Sequence, residues 1–250
     1  MNYSERTYRT EMGGEDLVSL ELRYRETDLW IGLTGLGHRG EELEARILSH
    51  LESCWREIEQ CIAGLPEFYT SLTPVDVPTS LRPLPSSMAA AARRAGTGPM
   101  AAVAGAIAES VGRETDRILA APRIIVENGG DMFIKTDREV ICRVFAGESP
   151  LSRQVRLHIP PSVSPVGVCT SSATVGPSLS FGAADAVTIV AKDTAFADAA
   201  ATAWANRVTC REDVTPVIEE MKDQREIIAG VIILGDCLGC FGDIPISFGL

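Results

Sequence analysis

The sequence predicts an α+β protein whose sheet is antiparallel. Turn signals join apolar runs into hairpins, helical periodicity occurs in separate zones, and hairpins are mixed with paired helices instead of repeating strand–helix–strand. The chain has 250 residues, of which 45% are hydrophobic and 23% charged. This composition is typical of globular proteins, and the length suffices to bury one large core or two small ones.

The first predicted elements are a hairpin and an amphipathic helix. Residues 17–22 and 28–33 have strand character on either side of a polar turn. Between residues 41 and 62 the apolar side chains recur at intervals of three and four, which is the period of a helix with one buried face. Acidic residues begin this segment, where the helix dipole favours them, and Gly64 and Pro66 follow its end. We therefore expect a core helix here.

A proline-rich segment at residues 73–85 is expected to form an extended connection. It is the best candidate for an internal division of the chain. Because the segment is too short to separate free domains, we predict a single domain over residues 1–250.

A second helical zone runs from about residue 87 to residue 113 and is interrupted at residues 96–99. Proline at the first position of the restarted helix leaves outward-pointing backbone N–H groups, which can hold an anion. The helix that follows is nearly free of bulky polar residues, so we expect it to be buried. Tight helix packing and a covering ligand would both account for this composition.

The strongest hairpin signal lies at residues 128–131, between the apolar runs 123–127 and 131–135. Asn-Gly between two such runs favours a tight turn whose central positions need positive φ. A functional interpretation stands beside this one. Gly129 and Gly130 carry no side chain, so a ligand could touch the backbone there.

The rest of the chain continues the mixture of strands and helices. In residues 154–159, apolar side chains alternate with Arg156 and His158, as expected of a strand with one outward face. The predicted strands are 140–145, 154–159, 186–191 and 227–234, and the predicted helices are 194–207 and 216–223.

Asp198 and Thr202 are the most informative pair in the predicted helix at residues 194–207. A spacing of four places both side chains on one face, one turn apart, among alanines that leave room for a ligand. Mg²⁺ prefers oxygen ligands and usually keeps waters and substrate phosphates, so one carboxylate and one hydroxyl suit it. The alternative interpretation is a solvated polar stripe.

The charge balance predicts which partners are excluded. A net charge of -11 at pH 7 opposes nucleic acid and anionic membrane surfaces, so we expect no nucleic-acid or membrane partner. The first residues lack the pattern of a secretory signal, and no apolar run reaches a membrane-spanning length. We therefore expect a cytoplasmic location, in which the seven cysteines are reduced.

Two cysteine motifs are candidates for chemistry of their own. Cys237 and Cys240 have the spacing of a redox pair or of half a zinc or iron–sulfur site, although buried small thiols are the default. Cys169 opens a hydroxyl cluster at residues 170–172, which could bind phosphate or could simply form a polar turn. None of the three histidines lies in a nucleophile-elbow or zinc-protease pattern, so no hydrolytic triad is expected.

Four blocks of the sequence resemble the ApbE-like superfamily. They are the glycine-rich helix start at residues 98–105, the Gly-Gly-Asp hairpin at 128–131, residues 169–172 in place of the family's Thr-Ser-Gly, and the strand and helix at 184–202. The last block is similar to the family's "VTV…ADALAT" segment. The resemblance implies an ApbE-like fold, a duplicated antiparallel sheet with paired helices in T-fold-like halves. The chain looks like a divergent cytoplasmic branch often labelled thiamine-biosynthesis-like.

The resemblance also implies a function. Characterised members are flavin transferases that use FAD and Mg²⁺ to attach FMN to a threonine of a target protein, so a nucleotide and a protein target are the implied partners. Asp198 and Thr202 match the family's metal ligands. The residues that match blocks lining the flavin nucleotide are Gly129, Gly130, Asp131, Thr170 and Ser171.

Two departures from the family keep other functions open. Ala104 stands where the family has a lysine before Gly105, and residues 175–182 lack the family's histidine and Asp-Pro segment. General acid–base help, usually worth about 10²–10⁴-fold, would have to come from elsewhere. The leading hypothesis is therefore binding of a flavin or other nucleotide with Mg²⁺, with nucleotidyl or FMN transfer as a further step. The alternatives are a non-catalytic flavin-binding or redox-partner module, and a thiol-based redox or metal protein using Cys237 and Cys240.

Overall fold

The computed structural model of this chain describes residues 17–36, 40–78, 80–175 and 181–249. None of the helices in these ranges is long and apolar enough to cross a membrane. The strands are β1 (Val18–Tyr24), β2 (Thr27–Leu33), β3 (Ile124–Asn128), β4 (Asp131–Lys135), β5 (Val140–Arg143), β6 (Val155–Ile159), β7 (Val166–Ser171), β8 (Ala186–Ala191), β9 (Ile227–Leu234), β10 (Cys237–Gly242) and β11 (Ile246–Phe248). The helices are α1 (Gly40–Gly64), α2 (Glu67–Thr70), α3 (Pro83–Ala95), α4 (Val103–Leu119), α5 (Thr194–Ala205) and α6 (Val214–Lys222).

The larger sheet has the strand order β1-β2-β3-β4-β7-β8-β9-β10, and every neighbouring pair is antiparallel. Its two halves repeat one order of elements. The first half is a hairpin (β1–β2), the helices α1 to α4, and a second hairpin (β3–β4). The other half is the hairpin β7–β8, the helices α5 and α6, and the hairpin β9–β10. The predicted α+β fold with a duplicated antiparallel sheet is thus confirmed.

Both faces of the larger sheet are covered, and β2, β3 and β8 are buried along their whole length. On β3, Ile124 and Val126 contact the core beneath the helices, whereas Ile125 contacts a second core on the opposite face. That second core is closed by a small antiparallel sheet of order β11-β6-β5. Because each fully buried aliphatic side chain contributes about 1.5–3 kcal/mol, the two cores hold helices, large sheet and small sheet together as three layers.

The helix predicted at residues 41–62 is confirmed as α1. Glu41 and Glu42 lie in its first turn, where the positive end of the helix dipole stabilises their negative charges. Its buried residues recur at intervals of three and four and form one stripe against the core beneath the helices: Leu43, Ile47, Leu51, Cys54, Ile58 and Cys61.

The segment at residues 73–85 is extended over only part of its length. Residues 73–78 have no helix or strand, but α3 begins at Pro83, because proline is tolerated in the first turn of a helix. The connection is therefore shorter than predicted. The single domain over residues 1–250, with a division near this segment, stays a prediction.

Three strands lie where the sequence predicts none. Thr170 and Ser171 belong to β7, so the polar turn expected at residues 170–172 begins only at Ser172, whose hydroxyl accepts backbone N–H bonds from Thr174 and Val175 at 3.1 and 2.9 Å. After β9, which was expected to be the last strand, β10 and β11 follow. Because of its glycines, β10 has only a weak intrinsic preference for strand structure, and its pairing with β9 stabilises it as a strand.

Candidate functional site

Helix α5 is seated directly against α4 and β7 because glycines face it. A Cβ on Gly105 of α4 would lie 2.4 Å from the carbonyl oxygen of Thr194, and a Cβ on Gly167 of β7 would lie 2.5 Å from the Thr194 Cα. The N-terminus of α5 is capped by Asp193, whose Oδ1 accepts the Phe196 N–H at 3.0 Å. These close contacts fix where the next turn of α5 projects its side chains.

Asp198, one turn into α5, points at the beginning of α4. Its Oδ2 accepts the backbone N–H of Gly105 at 2.8 Å. The helix start predicted to hold an anion was placed at Pro99, but residues 99–102 form a 3-10 turn and α4 begins only at Val103. The first turn of α4 therefore meets a carboxylate of the protein itself, and an anion at Pro99 stays a prediction. Burial raises the pKa of Asp198 to about 7, because it disfavours the charged form, while the N–H groups of Gly105 and Ala104 act in the opposite direction. Asp198 remains partly accessible to solvent.

The hairpin β3–β4 brings a second carboxylate to the same place. Its two-residue turn is Gly129–Gly130, with φ of 71° and 104°, and Asn128 pairs with Asp131 across it. The predicted turn is confirmed, but both positive φ values fall on glycine and not on Asn128. The Asn128 side chain donates to the Ala104 carbonyl at 3.1 Å and so ties the hairpin to the start of α4.

Asp131 is buried, with 7% of its surface exposed, and its Oδ1 accepts the Thr170 N–H at 3.3 Å. Burial raises its pKa well above the usual range, and the negative charge of Asp198 raises it further. The Cys169 thiol and the Thr170 N–H partly offset this by hydrogen bonding to the carboxylate. The hairpin and α5, remote in sequence, therefore meet in one acidic pair.

Cys169 is the site residue whose position the sequence does not reveal. Its buried thiol contacts Asp131 and lies 3.5 Å from the Thr194 carbonyl oxygen. Burial and the charges of Asp131 and Asp198 raise the pKa of this thiol well above its usual value. A protonated, buried thiol is a poor nucleophile, so Cys169 packs and donates at this site and does not attack.

The remaining predicted residues surround the acidic pair. Thr170 shares a hydrogen bond of 2.8 Å with Thr188, its register partner on β8, and Ser171 is buried beside it at the end of β7. Thr202 is half-buried on α5, and its hydroxyl has no hydrogen-bond partner within the described ranges. Gly129 is exposed, so the turn between the strands opens the site to solvent. The Thr188 contact was missed because it depends on sheet register.

The described residues contain no group of three or more His, Cys, Asp or Glu side chains that could hold a metal ion. A cation at this site would therefore need hydroxyl, backbone or water oxygens in addition to the carboxylates. Magnesium accepts such a shell, since it usually keeps several waters.

Cys237 and Cys240 do not form a paired thiol site. Both lie in β10, where side chains alternate between the faces of the sheet. Cys237 packs against the core beneath the helices, and Cys240 packs against the core under the small sheet. The alternative of a redox or metal site built from this pair is therefore wrong, because residues three apart on a strand lie on opposite faces of the sheet.

Sequence comparison relates the chain to a family. The family described as AbpE bacteria matches residues 9–227. The UPF0280 protein of Methanoculleus marisnigri is 46% identical over 190 residues, which cover 76% of each chain. The UPF0280 protein of Methanocaldococcus jannaschii is 38% identical over 226 residues, covering 88% of this chain and 89% of the relative.

Solved structures share the architecture. The flavin transferase ApbE from Vibrio cholerae superposes with a TM-score of 0.51 at 15% identity, covering 90% of this chain and 96% of that chain. The ApbE protein from Thermotoga maritima gives a TM-score of 0.57 at 13% identity, covering 89% and 96%. At such identities the likeness shows the fold alone, and it confirms the predicted ApbE-like fold.

Proposed function

The chain belongs to the AbpE bacteria family of the ApbE-like superfamily, and we propose that it binds a flavin nucleotide, FAD, together with Mg²⁺ between Asp131 and Asp198. One observation carries the proposal. Two carboxylates share a largely buried site, and the charge of one raises the pKa of the other. No Lys, Arg or His of the described ranges lies within ion-pair distance of either.

A divalent cation would resolve this repulsion, since buried like charges are costly unless they are neutralised. The donor set fits Mg²⁺, because it consists of hard oxygens. Asp131, Asp198 and the Thr202 hydroxyl are the side chains that would hold the ion. When bound, Mg²⁺ supplies positive charge that neutralises the oxygens of a diphosphate.

The nucleotide would enter over the turn of the β3–β4 hairpin. Gly130 has open space where a side chain would stand, with only the Thr170 carbonyl oxygen nearby at 3.9 Å. Gly129 and Gly130 therefore let a ligand reach the backbone, and Thr170 and Ser171 line the neighbouring strand end. These four positions and Asp131 form the proposed nucleotide contacts.

Transfer of FMN to a threonine of a target protein is the proposed reaction, and binding without transfer is the second candidate. Ala104 favours the second candidate, because it leaves the start of α4 without the family's lysine. Its carbonyl instead accepts the Asn128 amide. Transfer would break the diphosphate bond of FAD, join FMN to the target hydroxyl and release AMP.

Binding is tested by titrating FAD into the protein with and without Mg²⁺ and following flavin fluorescence. We expect quenching that requires Mg²⁺ and is abolished by Asp198→Ala. The matched control is Asp236→Ala, which removes an exposed carboxylate paired with Arg211 and leaves quenching intact. Quenching that persists in Asp198→Ala contradicts the proposed site.

A second measurement separates transfer from binding. FAD, Mg²⁺ and a candidate target protein are incubated with the chain, and AMP release is followed by chromatography. AMP in proportion to flavin attached to the target supports transfer. Quenching without AMP supports the non-catalytic module.

A further inference from the structure

On the outer face of the small sheet, a serine contacts a histidine, and the same histidine contacts a carboxylate. His158 on β6 lies with its Nε2 2.7 Å from the Ser247 Oγ of β11. The other ring nitrogen, Nδ1, lies 3.2 Å from an Oε1 of Glu139, which directly precedes β5. A carboxylate beside Nδ1 holds the proton there and leaves Nε2 to accept the serine proton.

We propose that Ser247, His158 and Glu139 form a second, hydrolytic site that acylates Ser247 from small carboxylic esters. The roles follow from the connectivity: nucleophile, general base, and a carboxylate that orients the base. The site lies on the far side of the small sheet and is independent of the flavin proposal. No local motif indicates it, because its members come from β6, β11 and the segment before β5.

The surroundings of Ser247 supply charge and an apolar wall. Sheet register places Arg156 directly opposite Ser247 and Ile141 directly opposite His158. The Nε of Arg156 is buried and has no hydrogen-bond partner among the residues that the structure describes, and its guanidinium provides a cation for an oxyanion that forms at Ser247. Ile141 is 51% exposed and offers an apolar contact for the acyl group. Ser247 itself is partly exposed.

The reaction balances without a cofactor. The Ser247 Oγ bonds to the carbonyl carbon while its proton passes to the His158 Nε2. The ester C–O bond then breaks, and the leaving alcohol takes that proton. Water then attacks the carbonyl carbon of the acyl-serine while its proton passes to the His158 Nε2. The bond from that carbon to the Ser247 Oγ breaks, the carboxylic acid leaves, and Oγ takes the proton back. Glu139 is a positioning residue, since it acts through His158.

The test uses the full chain with p-nitrophenyl acetate and, separately, a fluorophosphonate. We expect a burst of p-nitrophenol, and a covalent adduct that mass spectrometry after digestion places on Ser247. Adduct mapping on the unmodified protein does not depend on any variant folding. An adduct on another residue, or no adduct, overturns the proposal.

A second Ser–His pair offers a matched control. Ser110 lies 2.9 Å from the His50 Nε2 between α4 and α1, and His50 has no carboxylate ion pair in the described part of the chain. We expect Ser247→Ala to abolish the burst and Ser110→Ala to retain it. Glu139→Gln should lower the acylation rate by roughly 10²–10⁴-fold with little change in KM. A burst unchanged in Ser247→Ala overturns the proposal.

Discussion

The hairpins β3–β4 and β9–β10 occupy corresponding places in the two halves of the large sheet, yet only the first carries a candidate site. Each closes with a two-residue turn, Gly129–Gly130 in one and Gly235–Asp236 in the other. The first position after the turn is Asp131 in the first hairpin and Cys237 in the second. Both of these side chains face the core beneath the helices.

The difference shows how one residue decides whether an acid is buried or solvated. Asp131 follows its turn and meets Asp198, whereas Asp236 lies within its turn and pairs with Arg211 at the surface, where its side chain is 72% exposed. Strand side chains alternate in direction, so a shift of one position exchanges core for solvent. The two hairpins thus have the same backbone arrangement, and their chemistry differs because the aspartate occupies a different position relative to the turn.

The largest effect is expected from a substitution that breaks the acidic pair of Asp131 and Asp198. In metal-free protein at pH 8, Asp198→Asn should raise the free energy of unfolding by roughly 1–3 kcal/mol, because it removes a buried charge that repels Asp131. The same change should abolish stabilisation by Mg²⁺. Urea denaturation with and without Mg²⁺ measures both, and Asp236→Asn at the second hairpin should alter neither. A loss of stability in metal-free Asp198→Asn would contradict the repulsion.

The pH dependence sharpens the same contrast. The pKa of Asp198 is raised from 3.8 to about 7, so its carboxyl binds a proton more tightly in the folded state. The free energy of unfolding of the metal-free protein should therefore fall as the pH rises from 3.8 to about 7. Mg²⁺ competes with that proton, and its apparent affinity should weaken about tenfold per pH unit below 7. Thermal shift by Mg²⁺ between pH 5 and 8 checks this. A shift independent of pH would exclude Asp198 as a ligand.

The third prediction concerns the close packing that brings Asp198 to the first hairpin. Gly105→Ala places a Cβ 2.4 Å from the Thr194 oxygen and 2.8 Å from the Asp198 Cβ, and should cost about 1–3 kcal/mol. Gly64→Ala at the end of α1 is the control, since nothing lies within 4 Å of its added Cβ. Denaturant midpoints compare the two. Equal midpoints would mean that α4 and α5 are less tightly packed than described.

The smallest effect is expected from alanine substitutions in the two hairpin turns, at Gly130 and at Gly235. Gly130 has a φ of 104° and Gly235 a φ of 57°, so alanine at either position is strained by about 1–2 kcal/mol, more at Gly130. Only Gly130→Ala should also weaken FAD binding, because only this turn borders the acidic pair. Fluorescence titration and thermal unfolding of both variants test it. Weakened binding in Gly235→Ala would break the comparison between the hairpins.

Local pattern accounts for much of what was predicted correctly. The spacing of apolar residues in α1, the double glycine before Asp131 and the strand-to-helix passage into Asp198 each depend on neighbours within a turn or two, and each is present. Predictions failed where order comes from pairing. Glycine-rich β10 becomes a strand only beside β9, and this sends Cys237 and Cys240 to opposite faces.

By itself, the sequence determined the α+β architecture and the placement of Asp198 and Thr202 one turn apart, because helical and strand periods are local properties. Only the tertiary structure decided that Asp198 meets Asp131, that Thr170 faces Thr188, and that Ser247 reaches His158. These contacts join residues that are distant along the chain. They arise from sheet register and from the approach of α5 to Gly105 and Gly167, which burial and steric fit select once the whole fold is assembled.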